Sequence, residues 1–355
     1  MNLLILTQKV DKNDSNLGFF HRWLEEFSKK CEKVTVICLY KGEYSLPNNV
    51  RILSLGKEKG VCRLKYLFNF YKYIFKYRRE YDNVFVHMNQ IYMILGGFWW
   101  KMMNKKIALW YAHKNISLSL RLATKITDIV FTASEKSFRL QSRKIKVMGH
   151  GMDTEKFCPA FNNRQDNFFN IVTIGRISPV KKYEDLIIVI EELSQNDKLH
   201  SKIKVNIVGG AIDDLGEKYF SELKNLVKVK KLESLINFVG PVSNDQVVDI
   251  LRNSDLFIHM SQTGSLDKAV LEAMACEVLV LSNNESVVND VFKNNSLFCY
   301  KDNNELLYKI EKIIGLDEKE LDNFKKENRQ LVVFNHNLAN LINRILINLN
   351  GKTSQ

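Results

Sequence analysis

Proline is scarce, with 4 among 355 residues, and no Gly/Ser/Pro-rich or low-complexity tract interrupts the chain, so collagen-like and disordered classes are excluded. The six cysteines (Cys31, Cys38, Cys62, Cys158, Cys276 and Cys299) are scattered. None forms a Cys-x-x-Cys pair or a cysteine-histidine spacing suited to a tetrahedral metal site, and they read as small core residues in a reducing compartment. No apolar run reaches the roughly 20 residues of a membrane span. The longest, Ile91 to Trp100 and on to Met103, contains Gly96-Gly97 and is broken by Lys101. A basic n-region with a long apolar core and cleavage site is also missing, because the chain opens directly on a strand-like run, Asn2 to Thr7, and a cytoplasmic location is expected. No Asp-x-Asp pair and no RNA-recognition or helix-turn-helix signature is found, so a carboxylate-held metal and a nucleic-acid partner are not expected.

What is present is a chain with 45% hydrophobic and 26% charged residues, a composition that folds. Its length exceeds one ordinary core and suits two. The net charge of +12 is unevenly spread: residues 1–160 hold 28 Lys and Arg against 13 Asp and Glu, a balance of +15, and the rest hold 24 against 27, or −3. A positive field on the first half alone attracts phosphates or anionic lipid head groups; solvated lysines of no functional meaning are the alternative.

Both halves alternate short β-branched runs with amphipathic stretches, as parallel sheets covered by helices require. The first half has seven such runs, from Leu3–Thr7 to Ile145–Met148, and the second has five, from Asn170–Ile174 to Leu279–Ser282. An aperiodic stretch from Phe157 to Phe168, with Pro159 and a polar cluster, separates them. The expectation is an α/β chain of two doubly wound, Rossmann-like domains facing a cleft: residues 1–160, residues 161–335, and a C-terminal helix and tail over 336–355 that packs back on the first domain. Leu338, Leu341, Ile342, Ile345 and Leu346 give that last helix its apolar stripe. In such sheets ligands bind beyond the carboxyl ends of the strands.

Two loops directly after strands carry chemistry. In Gly175-Arg176-Ile177-Ser178-Pro179-Val180-Lys181-Lys182 a glycine, an arginine, a lysine and the start of a helix near Tyr183 make an anion site suited to a diphosphate. The second, Met260 to Cys276, places Ser265 as an N-cap with the amides of Leu266 to Lys268 free. Lys268 and Glu272 then lie one turn apart, in the weaker order for a helix-stabilising pair, which favours a ligand-facing role. A carboxylate there can accept both hydroxyls of a ribose.

The segments GHGMDTEKF (Gly149–Phe157), IGRISPVKK (Ile174–Lys182), NFVGPVSNDQ (Asn237–Gln246), DLFIHMS (Asp255–Ser261) and LEAMAC (Leu271–Cys276), in this order, resemble family 4 glycosyltransferases of the GT-B fold. WYAHKN (Trp110–Asn115) and DIVFTASEKS (Asp128–Ser137) extend the resemblance into the first half. It implies that Arg176 and Lys181 grip the diphosphate of a nucleotide-sugar donor, that Glu272 holds its ribose, and that Gly240 and Pro241 lie beside the nucleotide base. It further implies that His113 touches the transferred sugar and that Gly18, with Asn16, lies in a loop near the phosphates and acceptor. A lone histidine is more often a satisfied structural residue, so His113 rests on the resemblance.

The sequence departs from the family's pattern where a first glutamate, seven residues before the second, is usual: that position is Gly264. Asp267 and Lys268 replace a common proline and aliphatic residue, and Glu277 stands in place of a glycine. Donor identity is what these changes touch. The resemblance implies retention at the anomeric carbon, with the leaving phosphate deprotonating the acceptor and with neither metal nor cofactor. The acceptor, a saccharide or a polyprenyl-linked sugar, is expected on the positive first domain. There RLKYLFNFYKYIFKYRREY (Arg63–Tyr81) sets Leu64, Leu67, Phe68, Tyr71, Ile74, Phe75 and Arg78 at roughly helical spacing among lysines, a pattern for an anionic membrane surface or for an ordinary core helix. Cell-surface polysaccharide or glycolipid synthesis would use such an enzyme. The alternatives are a non-catalytic sugar- or nucleotide-binding protein on this scaffold and a nucleotide-sugar epimerase.

Overall fold

A computed structural model of the chain describes residues 1–14, 17–113, 115–160, 168–195, 202–261, 266–292 and 297–351. The chain divides into two compact units, one of residues 1–151 and 337–355 and the other of residues 152–336.

The first unit contains β1 (Asn2–Val10), α1 (Phe19–Lys30), β2 (Lys33–Lys41), β3 (Val50–Ser54), α2 (Arg63–Lys76), β4 (Asn83–His87), α3 (Gln90–Met102), β5 (Lys106–Trp110), α4 (Leu118–Ile126), β6 (Ile129–Thr132) and β7 (Ile145–Val147). All seven strands run parallel in the order β3-β2-β1-β4-β5-β6-β7. Period-2 alternation of side chains sorts β1 between two cores. Leu3 and Ile5 meet Phe20, Trp23 and Phe27 of α1, while Leu4 and Leu6 join Phe70, Ile74, Tyr92 and Trp100 of α2 and α3 on the opposite face.

The second unit contains β8 (Phe169–Ile174), α5 (Tyr183–Ser194), β9 (Ile203–Val208), α6 (Asp214–Val229), β10 (Ile236–Gly240), α7 (Asn244–Arg252), β11 (Leu256–His259), α8 (Lys268–Ala275), β12 (Leu279–Ser282), α9 (Asn303–Ile314) and α10 (Glu318–His336). Its strands are again parallel, in the order β10-β9-β8-β11-β12. Both units are therefore Rossmann-like, with strand order reversing beside β1 in one and beside β8 in the other. Those switch points open crevices at the carboxyl ends of the strands.

The units separate at Gly151, earlier than the expected cut near residue 160. The reason is packing: Met152 and Phe157 are buried in the second unit's core, Met152 N–H donates to the His336 carbonyl at 2.7 Å, and the Arg252 Nε donates to the Cys158 carbonyl at 2.9 Å. Pro159 marks irregular backbone, but the second unit begins ahead of it. At the other end α11 (Leu338–Asn350) belongs to the first unit. Asn337 caps it, accepting the Asn340 N–H at 3.0 Å, and Leu341, Ile342 and Ile345 are fully buried against α1 and the sheet.

The helix expected over Arg63–Tyr81 ends at Lys76, and the expected stripe divides between core and surface. Phe70 and Ile74 point to the core, whereas Leu64, Leu67 and Phe68 lie exposed. Spacing alone could not choose between two stripes in a helix that is apolar on both.

Candidate functional site

In the second unit the strand ends β8, β9 and β10 meet through backbone. The Gly175 N–H donates to the Val208 carbonyl at 3.0 Å, the Gly209 N–H to the Gly240 carbonyl at 2.9 Å, and the Ile177 N–H to the Gly210 carbonyl at 3.0 Å. Gly209 has φ +135°, and a Cβ there would stand 1.9 Å from the Gly175 carbonyl oxygen, so no other residue fits. Gly240 also adopts a positive φ, +83°, but with open space around it. Pro241 follows and lies beside Gly210, where a Cβ would sit 3.4 Å from its ring. The result is a floor of low backbone at Gly175, Gly209, Gly210 and Gly240, which lets a ligand approach the main chain closely. The sequence signal for this approach is the glycine pair Gly209-Gly210 directly after β9.

Arg176 rises from this floor, exposed and without an ion-pair partner among the described residues. Lys181 ends a single 3-10 turn, Pro179–Lys181, and its side chain borders Gly175, where a Cβ would meet its Cε at 3.3 Å. The α5 start contributes less to anion binding than expected. The Tyr183 N–H donates to the Tyr219 hydroxyl at 2.8 Å, and Glu184 and Asp185 occupy the first turn, where their charge offsets the helix dipole. Fixed positive charge here comes from side chains.

Ser265 is not the cap of α8. The helix begins at Lys268 and Asp267 caps it, accepting the Ala269 N–H at 3.4 Å; Ser265 and Gly264 themselves lie outside the described residues, as does Asn16. Leu266 is buried. Asp267 does more than cap: its Oδ2 lies 3.1 Å from Lys181 Nζ and 3.4 Å from His259 Nε2. His259 Nδ1 in turn is 3.0 Å from Ser282 Oγ. Burial works against the Asp267 charge, yet His259 and Lys181 overcome it and hold the carboxyl well below the usual carboxylate range. This chain from β12 through β11 to Lys181 joins residues far apart in sequence. His259 was visible only as the last residue of an apolar strand, a position usually structural.

On the next turn of α8, burial pushes the Glu272 carboxyl up, opposed by Lys268. Burial likewise pushes Lys268 down, opposed by Glu272 and Asp267. The two charges support each other, so a ligand reaching them meets a polar pair. After α8, Glu277 adopts φ +61°, the left-handed conformation common at C′ positions. This gives a physical reason for a glycine at that point.

The remaining candidates belong to the first unit. Gly18 precedes α1, and a Cβ there would lie 2.5 Å from the Asp14 carbonyl oxygen. Asp14 holds the loop by accepting the Leu17 N–H at 2.7 Å and pairing with Lys9 at 2.6 Å. His113 is exposed after β5, and its Nδ1 accepts the Asn115 N–H at 3.1 Å. That contact makes Nδ1 an acceptor and leaves Nε2 as the outward donor in the neutral ring.

Residues 155–331 match the family model described as glycosyl transferases group 1. Among relatives, a capsular polysaccharide biosynthesis glycosyltransferase, CapH, of Staphylococcus aureus is 28% identical over 179 residues, covering 49% of this chain and 47% of that protein. The phosphatidylinositol N-acetylglucosaminyltransferase gpi3 subunit of Schizosaccharomyces pombe is 24% identical over 196 residues, 54% of this chain and 41% of its own. The chain thus spans less than half the length of these relatives. In fold, Anabaena Alr3699/HepE in complex with UDP superposes over 99% of this chain and 100% of its own, with TM-score 0.76 and 17% identity. A glycosyltransferase from Rickettsia africae superposes over 99% and 100%, with TM-score 0.73 and 18% identity. By these matches the second unit carries a glycosyl transferases group 1 domain, within a chain of the two-unit GT-B glycosyltransferase fold.

Proposed function

We propose that the chain is a retaining glycosyltransferase of the family 4 type, moving a sugar from a nucleotide-diphosphate sugar to a saccharide or lipid-linked acceptor in cell-surface polysaccharide or glycolipid synthesis. The observation that carries this reading is the pairing of a glycine floor with Arg176 and Lys181 at the β8 switch point, inside the segment that matches the family. As the sugar–phosphate bond breaks, negative charge grows on the leaving diphosphate and positive charge on the anomeric carbon. Fixed cations aimed at the leaving group lower that barrier, so the reading needs no resident metal or cofactor. Glu272 accepts hydroxyl hydrogen bonds from the ribose, and His113 offers its Nε2 donor to a sugar hydroxyl. The Anabaena protein was solved with UDP and with UDP-glucose, which makes uridine nucleotides the first donors to try. The enzyme would act in the cytoplasm, on the inner face of the membrane when its acceptor is lipid-linked.

The Lys181–Asp267 pair favours one second reading, a nucleotide-binding protein without turnover, because Asp267 already neutralises one of the two diphosphate cations. Incubation with a panel of nucleotide sugars and saccharide acceptors separates the readings. Transfer should yield a glycoside whose anomeric proton coupling matches the donor's. An inverted product would refute retention, binding without transfer would leave the second reading, and conversion of the donor into its epimer would replace both.

A further inference from the structure

Three helices of the first unit lie side by side over one face of its sheet. Gly97 of α3 sits so close to α4 that a Cβ would lie 2.3 Å from Ile126 Cγ2, and α2 meets α3 through Phe75 and Trp99, with ring centroids 5.2 Å apart. The Tyr71 hydroxyl of α2 also donates to the Leu95 carbonyl of α3 at 3.3 Å. Their inner faces form core. Their outer faces carry large apolar residues as well: Phe68 of α2 is 60% exposed, and Phe98 and Met102 of α3 are 63% and 65% exposed. Leu64 continues the patch on α2, and Leu118 and Leu122 are exposed on α4.

A helix on a water-facing surface turns a polar stripe outward. α3 has none, because Lys101 is its single charged residue. Large apolar residues exposed on three neighbouring helices mark a docking site, and charge says for what. The three helices together hold seven Lys and Arg and no Asp or Glu, and no acid occurs between Asp82 and Asp128. Such a face repels a second copy of itself. A bilayer with anionic head groups meets both of its properties, taking aromatic and aliphatic tips into the acyl boundary and lysines onto phosphates.

We propose that the outer faces of α2, α3 and α4 dock this protein on an anionic lipid bilayer. The inference deepens the reading above and rests on it for its purpose, which is access to a lipid-linked acceptor.

Flotation with vesicles of phosphatidylcholine, and of phosphatidylcholine containing about one third phosphatidylglycerol, tests it. The full chain should float with the anionic vesicles and not with the neutral ones. Trp99 is the one exposed tryptophan, since Trp23, Trp100 and Trp110 are buried. Its emission should shift to the blue and be quenched by brominated acyl chains, and Trp99→Phe should abolish the quenching. Lys65→Gln with Lys72→Gln should weaken binding roughly thirtyfold, at about fivefold per cation. Phe68→Ser, Phe98→Ser and Met102→Ser combined should prevent flotation, while the thermal shift caused by UDP stays as in the parent. That shift reports folding and the nucleotide site: its absence from the parent counts against the donor reading alone, and its retention in the serine variant isolates the docking face. The proposal is overturned if the parent does not float, if the serine variant floats as well as the parent, or if Trp99 is not quenched. A concentration-dependent dimer abolished by the same three serines, without vesicle binding, would assign the face to a second copy and overturn it as well.

Discussion

At the scale of single residues, Asp267 joins the cap of α8 to Lys181 and His259. Asparagine caps helices about as well as aspartate, so Asp267→Asn removes a charge without uncapping α8. The charge it removes stands 3.1 Å from Lys181, one of the two cations proposed to grip the diphosphate. The expected outcome is tighter binding of a nucleoside diphosphate, by roughly fivefold for about 1 kcal/mol of relieved repulsion, measured by calorimetric titration. Asp267→Ala should instead lower stability by about 1 kcal/mol through the lost cap. Because the folded carboxyl is held below its ordinary value of 3.8, its contribution to stability is present above that pH and is lost as the pH falls through the lower folded value. The acid limb of a stability profile should therefore flatten in Asp267→Asn, and an unchanged acid limb would remove the electrostatic role. Glu272→Ala should weaken nucleotide binding by about ten- to a hundredfold if its carboxylate holds ribose hydroxyls, at about 1.5 to 3 kcal/mol for hydrogen bonds to a charged group. Deoxyribose nucleotides should then bind parent and variant more nearly alike.

At the scale of elements, strands were the most legible feature, because buried parallel strands read as continuous β-branched runs. All twelve β-branched runs are strands, with ends that coincide or differ by at most three residues. What the sequence could not reveal depends on contacts between distant segments. The outward turn of Leu64 and Phe68 depends on which stripe of α2 the sheet accepts. The role of Gly209 depends on Gly175, which approaches it only once β8 and β9 are paired. The two glycines with positive φ offer a contrast that tests the account of the floor. Gly240→Ala meets no neighbour and should cost only the conformational penalty of about 1 to 2 kcal/mol. Gly209→Ala must also displace the Gly175 backbone and should cost clearly more, with a lower urea midpoint and weaker nucleotide binding. Equal midpoints for the two variants would contradict the close approach.

At the scale of the whole molecule, the second unit is one continuous stretch, whereas the first is completed by α11 from the far end of the chain. Sequence showed that helix by its stripe of Leu338, Leu341, Ile342, Ile345 and Leu346, and the structure gives it its energetic weight. Burying five such side chains contributes very roughly 8 to 15 kcal/mol before entropy is counted, comparable to the whole stability of a domain. A chain ending at His336 should lose the first unit's melting transition and keep that of the second, as differential scanning calorimetry would record. Two unchanged transitions would show that α11 is dispensable. The most direct test of the central claim, that the glycine floor with Arg176 and Lys181 holds a nucleotide diphosphate, is calorimetric titration of UDP and GDP into the parent and into Arg176→Ala and Lys181→Ala. The account predicts saturable binding of at least one nucleotide by the parent and a loss of about tenfold or more in each variant, the magnitude of a charge-assisted hydrogen bond. Absence of binding to the parent, or equal affinity in all three proteins, would contradict it.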